Sequence, residues 1–343
     1  MISKGMKRII TVAVSRKATD IHICAGAPVL LRIGRDLIPA TEGVLTPEMA
    51  ERMSLGLLDD VQKEKFAQRL DFDLMIGDED GRYRVNVLHS DGSIGAVIRI
   101  LPDEPWRLES LGLPPVVEYL AGQTKGLVLI TGSTSQGKTT TMSGIIDHIN
   151  RRHKRHIVTI EDPIETVHRN KKSIVRQREV LRDMKDFHTG LRAALRQDPD
   201  VIGIGEMRDY ETIRIAMTAA ETGVLVISTL HIISIDKMIE RLLSYVPPED
   251  SDHLRYLLAG ALQGVIHQEL VPSTDGGKRV ACEVLVATDA ARNTIRRRDS
   301  FLLRNIISTG SKHGMVAMQE SIRRLLGEGL ITEKVAETVM SNY

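Results

Sequence analysis

Residues Gly132 to Thr139 read GSTSQGKT, the spacing G-x-x-x-x-G-K-[ST] of a loop that cradles phosphate. The apolar run 126–131 precedes the loop and a helical stretch from 139 to 150 follows it, which is the context the pattern requires. Chemically, the backbone amides of Gly132, Ser133, Thr134, Ser135, Gln136, Gly137, Lys138, Thr139 and Thr140 offer oriented N–H groups and a helix dipole to phosphate oxygens. Lys138 adds a cation for the terminal phosphates and Thr139 a hydroxyl for Mg²⁺, so the expected ligands are ATP and Mg²⁺. Ser135 is costly if its position is left-handed, by about 1 kcal/mol.

Three further segments carry chemistry. VTIEDPIETV ends a strand in Glu161, Asp162 and Glu165, acids that either orient or deprotonate an attacking water or simply cap a turn. DPDVIGIGEMRD delivers Glu206 to the end of an apolar strand, where an acid holds Mg²⁺ or its water. AAETGVLVISTLH ends the next strand on His231, which is a packing residue or a phosphate contact according to its neighbours.

The runs 126–131, 156–160, 200–205 and 224–229 are nearly continuous apolar segments with helical stretches between them, which predicts an α/β domain around a mainly parallel sheet. Ahead of them lies a smaller α/β domain. IHICAG and VLLRIGRDLIPA read as two strands, and residues 46–70 as helical, with Thr46 as cap and Pro47 in the first position. DFDLMIG, YRVNVLHS and IGAVIRIL then read as strands joined by the turns DEDGR and DGS. Proline-rich residues 103–115 read as a linker, with Trp106, the only tryptophan, as its packing anchor. The expected domains are therefore 1–102 and 116–343, the second becoming helical from about 288.

Lys plus Arg (46) nearly cancels Asp plus Glu (45), so no global basic field points to nucleic acid. Two distant cysteines, Cys24 and Cys282, build neither a zinc ribbon nor a disulfide scaffold. Apolar runs fall short of a membrane span, so a cytoplasmic chain without membrane insertion is expected.

Taken together, the phosphate loop, IEDPIE, GEMRD and AAETG…STLH resemble the secretion and pilus ATPase superfamily in order and spacing. ATDIHICAG and GRYRVNV…AVIRIL resemble its N-terminal domain, and AARNTIRRRD with TGSKHGMVAMQESIRRLLGEGLI resembles the C-terminal helices of the type IV pilus retraction ATPases. The resemblance implies a RecA-like P-loop ATPase domain behind an N-terminal PAS-like domain, and a homohexamer. The implied partners are an inner-membrane pilus platform protein and a second retraction ATPase, at the cytoplasmic side of the pilus base. It also implies Glu165 as general base, Glu206 as the metal-side acid and His231 as γ-phosphate sensor, with Arg82, Arg84 and Arg99 completing a nucleotide site. Val224 stands where the family carries a second histidine, and Ala291, Thr294 and Arg297 depart from the retraction motif around Arg292 and Arg296. Two other functions remain open on this footing: an assembly or secretion ATPase, and a nucleotide-binding accessory subunit that does not hydrolyse.

Overall fold

The computed structural model describes residues 3–34, 36–78, 81–102 and 104–341. Glu79 and Asp80 of the DEDGR turn, and Asp103 at the head of the segment read as a linker, lie outside them. The chain divides into two compact units, Met1–Asp103 and Glu104–Tyr343.

The first unit runs α1 (Lys4–Ser15), β1 (Asp20–Ile23), β2 (Leu30–Ile33), β3 (Asp36–Pro39), α2 (Pro47–Leu55), α3 (Asp60–Arg69), β4 (Asp71–Asp78), β5 (Gly81–Ser90) and β6 (Ser93–Leu101). Its strands form one antiparallel sheet in the order β3-β2-β1-β6-β5-β4. Two expectations change here. VLLRIGRDLIPA is a hairpin of two strands, because Gly34 takes a left-handed φ of 62° that reverses the chain. The stretch 46–70 is two helices, because Asp59 and Gln62 form a reciprocal capping box that starts a new helix after Gly56. Thr46 and Pro47 do start the first of them. Met6, Ile10, Ala50 and Phe66 from the helices pack with Ile21, Leu31, Tyr83, Val85, Val87 and Ile98 from the sheet in one core.

The second unit contains α4 (Val116–Ala121), β7 (Gly126–Thr131), α5 (Lys138–Arg152), β8 (His156–Glu161), β9 (Ile174–Glu179), α6 (Phe187–Ala194), β10 (Val201–Ile204), α7 (Tyr210–Glu221) and β11 (Leu225–Leu230). It continues through α8 (Ile235–Leu243), α9 (Pro248–Ala261), β12 (Leu262–Pro272), β13 (Lys278–Val286), α10 (Asp289–Arg296), α11 (Leu303–Thr309), α12 (Met318–Gly327) and α13 (Glu333–Met340). The sheet order is β13-β12-β7-β11-β10-β8-β9, with every neighbour parallel except the β12–β13 hairpin. Alternation along β7 explains the layering: Val128 and Ile130 join α4 and α5 on one face, whereas Leu127 and Leu129 join the helices on the other. A third cluster packs α12 and α13 onto Val271 and Ala281 of the hairpin.

The segment 104–115 falls within this unit, where Leu108 is buried with α5. Trp106 is 57 % exposed, so Leu108 and not the tryptophan anchors the segment. Among the described residues no helix is long and apolar enough to cross a membrane.

Candidate active site

Parallel strands bring their carboxyl ends to one edge of the sheet, and four neighbours, β7, β11, β10 and β8, deliver the chemical residues there. From β7 comes the loop 132–137, from β11 His231, from β10 Glu206, and from β8 the acids Asp162 and Glu165.

The loop is shaped by two glycines and braced from β12. Gly137 takes a φ of 79° at the start of α5, and a Cβ on Gly132 would lie 2.5 Å from the Gln268 carbonyl oxygen. Ser135 is indeed left-handed, with φ 62°. Gln136 is more than a substitution at the loop's edge. Its Oε1 accepts from the Leu270 amide, while the Gln268 Nε2 donates 2.5 Å to the Gln136 carbonyl. The backbone N–H groups of residues 133–137 find no acceptor among the described residues. Together with the open first turn of α5 they form a donor set that an anion would satisfy.

Lys138 is 6 % exposed, and its ammonium donates to the carbonyls of Gly132 (2.9 Å) and Ser133 (2.6 Å). A third bond, 3.2 Å, reaches Nδ1 of His231. Nε2 of His231 in turn lies 3.2 Å from Oε2 of Glu206. Because an ammonium can only donate, Nδ1 must accept, and Nε2 therefore carries the hydrogen that faces Glu206. Burial lowers the Lys138 pKa, and the Glu206 carboxylate opposes that shift. His231 thus joins the loop lysine to the acid of the neighbouring strand.

Glu206 also holds Arg208, 2.7 Å away, a partner two residues on that pattern reading did not single out. Thr139, in the first turn of α5, and Glu206 are the oxygen donors suited to Mg²⁺. Glu161 is buried and accepts from Thr159 Oγ1 (2.6 Å) and Gln177 Nε2 (3.0 Å). Glu165 is different: its carboxylate takes no hydrogen bond or ion pair among the described residues. Val224 precedes β11 and packs against the core. It lies about 20 Å from His231 along the strand, so its missing imidazole takes nothing from this site.

Arg82, Arg84 and Arg99 belong to the first unit. Alternation along β5, and the pairing of Arg84 with Arg99, place all three on the sheet face opposite the core. Arg99 is bonded to Asp20 (2.8 Å) and Arg84 lies 3.9 Å from Asp73.

Comparison with known proteins accords with this geometry. The type II/IV secretion system protein family matches residues 1–342. The chain belongs to that family. It is 39 % identical over 320 residues to the type IV pilus retraction ATPase PilT of Pseudomonas aeruginosa, covering 93 % of each chain. It is 37 % identical to a twitching motility protein of Neisseria gonorrhoeae, over 91 % of this chain and 84 % of the other. Among solved structures it superposes on the pilus retraction motor PilT with bound ADP at a TM-score of 0.88, with 40 % identity, covering 96 % and 95 % of the two chains. The fold is accordingly an N-terminal α/β domain followed by a RecA-like ATPase domain, and the likeness extends over nearly the whole chain.

Proposed function

We propose that the protein is a hexameric ATP-hydrolysing motor for type IV pilus retraction. The observation that carries the reading is the convergence of Lys138, His231 and Glu206 beside a loop of unpaired amides. The relatives named for pilus retraction and twitching motility support the direction of the work.

In this reading the loop amides bind the phosphate chain and Lys138 leaves the loop carbonyls for the terminal phosphates. Thr139 and Glu206 would hold Mg²⁺, which supplies charge neutralisation on the phosphate oxygens. Glu165 accepts the proton of the attacking water, the task for which an unengaged carboxylate is suited. Once Lys138 has left, His231 turns its Nε2–H from Glu206 to a phosphate oxygen, and the same move frees the Glu206 carboxylate for the metal. Arg82, Arg84 and Arg99 add positive charge to a nucleotide site within the assembled ring. The ring works in the cytoplasm against a platform protein of the inner membrane, beside a second retraction ATPase.

Deleting the gene tests the direction of the motor. Surface pili should accumulate and twitching should stop, with rescue by the wild-type chain and none by Lys138→Ala. A deletion strain with fewer pili would identify an assembly motor instead.

A further inference from the structure

The segment between β8 and β9 carries Glu165, and side chains of β9 grip it on either side of that residue. Gln177 and Glu179 sit two apart on one face of β9. Glu179 is 8 % exposed, and its Oε2 accepts from the Ile164 amide at 3.1 Å. The Gln177 amide nitrogen donates to the Thr166 carbonyl (2.8 Å) and to Glu161 Oε1 (3.0 Å), while its oxygen accepts from the His168 amide (2.7 Å). Ile164 and Thr166 are the immediate neighbours of Glu165. The backbone of Glu165 is therefore fixed before and after, whereas its carboxylate is left unengaged among the described residues.

The far end of the segment is tied to α5, the helix that the phosphate loop opens. His168 Nε2 lies 3.2 Å from Ser143 Oγ. Asn150, fully buried, donates to the Arg169 carbonyl (2.8 Å) and accepts from the Lys171 amide (3.0 Å). Lys171 also pairs with buried Asp147. One segment is thus referenced both to an edge strand and to the nucleotide-binding helix.

We propose that Gln177 and Glu179 are positioning residues for hydrolysis, holding Glu165 where it meets the attacking water. The inference rests on the reading of Glu165 as general base. A side chain that can both donate and accept is needed at 177, because the groups it bridges are a carbonyl, a carboxylate and an N–H. At 179 an acceptor suffices, since its partner is a single N–H. Nucleotide binding belongs to the loop after β7, with three strands between it and β9 in the sheet order, so loss of the grip should slow turnover without loosening the nucleotide.

The test measures phosphate release and ADP affinity on the full chain for Gln177→Leu, Glu179→Leu, Glu179→Gln, Glu165→Gln and the double variant Glu165→Gln/Gln177→Leu. A displaced catalytic group costs about a hundredfold in rate, so both leucine variants should lose about ten- to a hundredfold in kcat. KM for ATP and Kd for ADP should stay within about threefold, well below the roughly fivefold change of one lost hydrogen bond. Glu179→Gln, which keeps an acceptor, should retain wild-type kcat. In the Glu165→Gln background Gln177→Leu should add no further loss. The proposal is overturned if Gln177→Leu turns over like wild type, if KM and Kd rise as kcat falls, or if its loss is the same with and without Glu165. If Gln177→Leu does not fold, the two Glu179 variants carry the same comparison, and equal losses in both overturn it. Full activity in Glu165→Gln would remove the general-base reading and this inference together. A dead Glu165→Gln beside an unimpaired Gln177→Leu would remove only the inference.

Discussion

At the scale of single residues, the phosphate loop shows which parts of a site can be read locally. Gly132, Gly137, Lys138 and Thr139 follow from spacing alone, because the loop and its helix are contiguous. Gln136 does not. Its partners on β12 lie more than 130 residues away, and only the fold reveals that its side chain pins the loop to that strand. Gln136→Ala should free the loop at a cost of about 1 kcal/mol. Nucleotide affinity measured by calorimetry should weaken about fivefold, with turnover at saturating ATP unchanged. His231 is ambiguous in the sequence for the same reason, since its meaning depends on Lys138 at the start of α5 and on Glu206 after β10. Glu206→Gln keeps the shape and loses the charge proposed to serve the metal. Phosphate release should fall about a hundredfold while ADP still binds, and unchanged release would remove Glu206 from its role.

At the scale of elements, the strands of the second unit buried on both faces were legible as apolar runs and its other strands were not. β9 reads IVRQRE, an edge strand whose last four residues are all polar, and that is where Gln177 and Glu179 reside. β12 and β13 interrupt their apolar positions with His267, Gln268 and Glu283, residues that face the neighbouring strand, the phosphate loop and the C-terminal helices in turn. Helix ends were legible where a side chain caps them, as at Thr46, and missed where a new cap arises within a helical pattern, as at Asp59. Arg292 of the resemblance to the retraction ATPases has a structural role in this fold. Its guanidinium donates to the Ala287, Ala259 and Gly260 carbonyls, closing the carboxyl end of α9, and Arg296 stacks over Tyr256 of the same helix. Arg292→Ala should therefore cost about 1.5 kcal/mol in urea unfolding, and Arg292→Lys, which cannot span three carbonyls, should recover only part of it.

For the whole molecule, buried ionisable groups set how stability follows pH. Burial pushes Glu283 up to about 7 from its ordinary 4.5, and pushes His168 and His267 down to about 4 from 6.5. A carboxyl raised in the folded state stabilises below its unfolded value, and that contribution is lost as pH rises towards 7. A depressed imidazole acts in the opposite sense, its contribution being present above 6.5 and lost as pH falls towards 4. Glu283→Gln removes only the first effect. Its stability relative to wild type should be higher at pH 8 than at pH 5 in paired urea titrations, and an equal difference at both would show that Glu283 does not titrate as the fold requires. In the sequence the pattern changes from alternating strands to continuous apolar runs across residues 103–115, and the structure divides between Asp103 and Glu104. A motor of this kind requires the four strand ends of the second unit to form a hydrolytic centre. Steady-state phosphate release by the purified chain, beside a Lys138→Ala control, measures this directly: the account predicts saturable release that the control lacks, and equal rates in the two would contradict it.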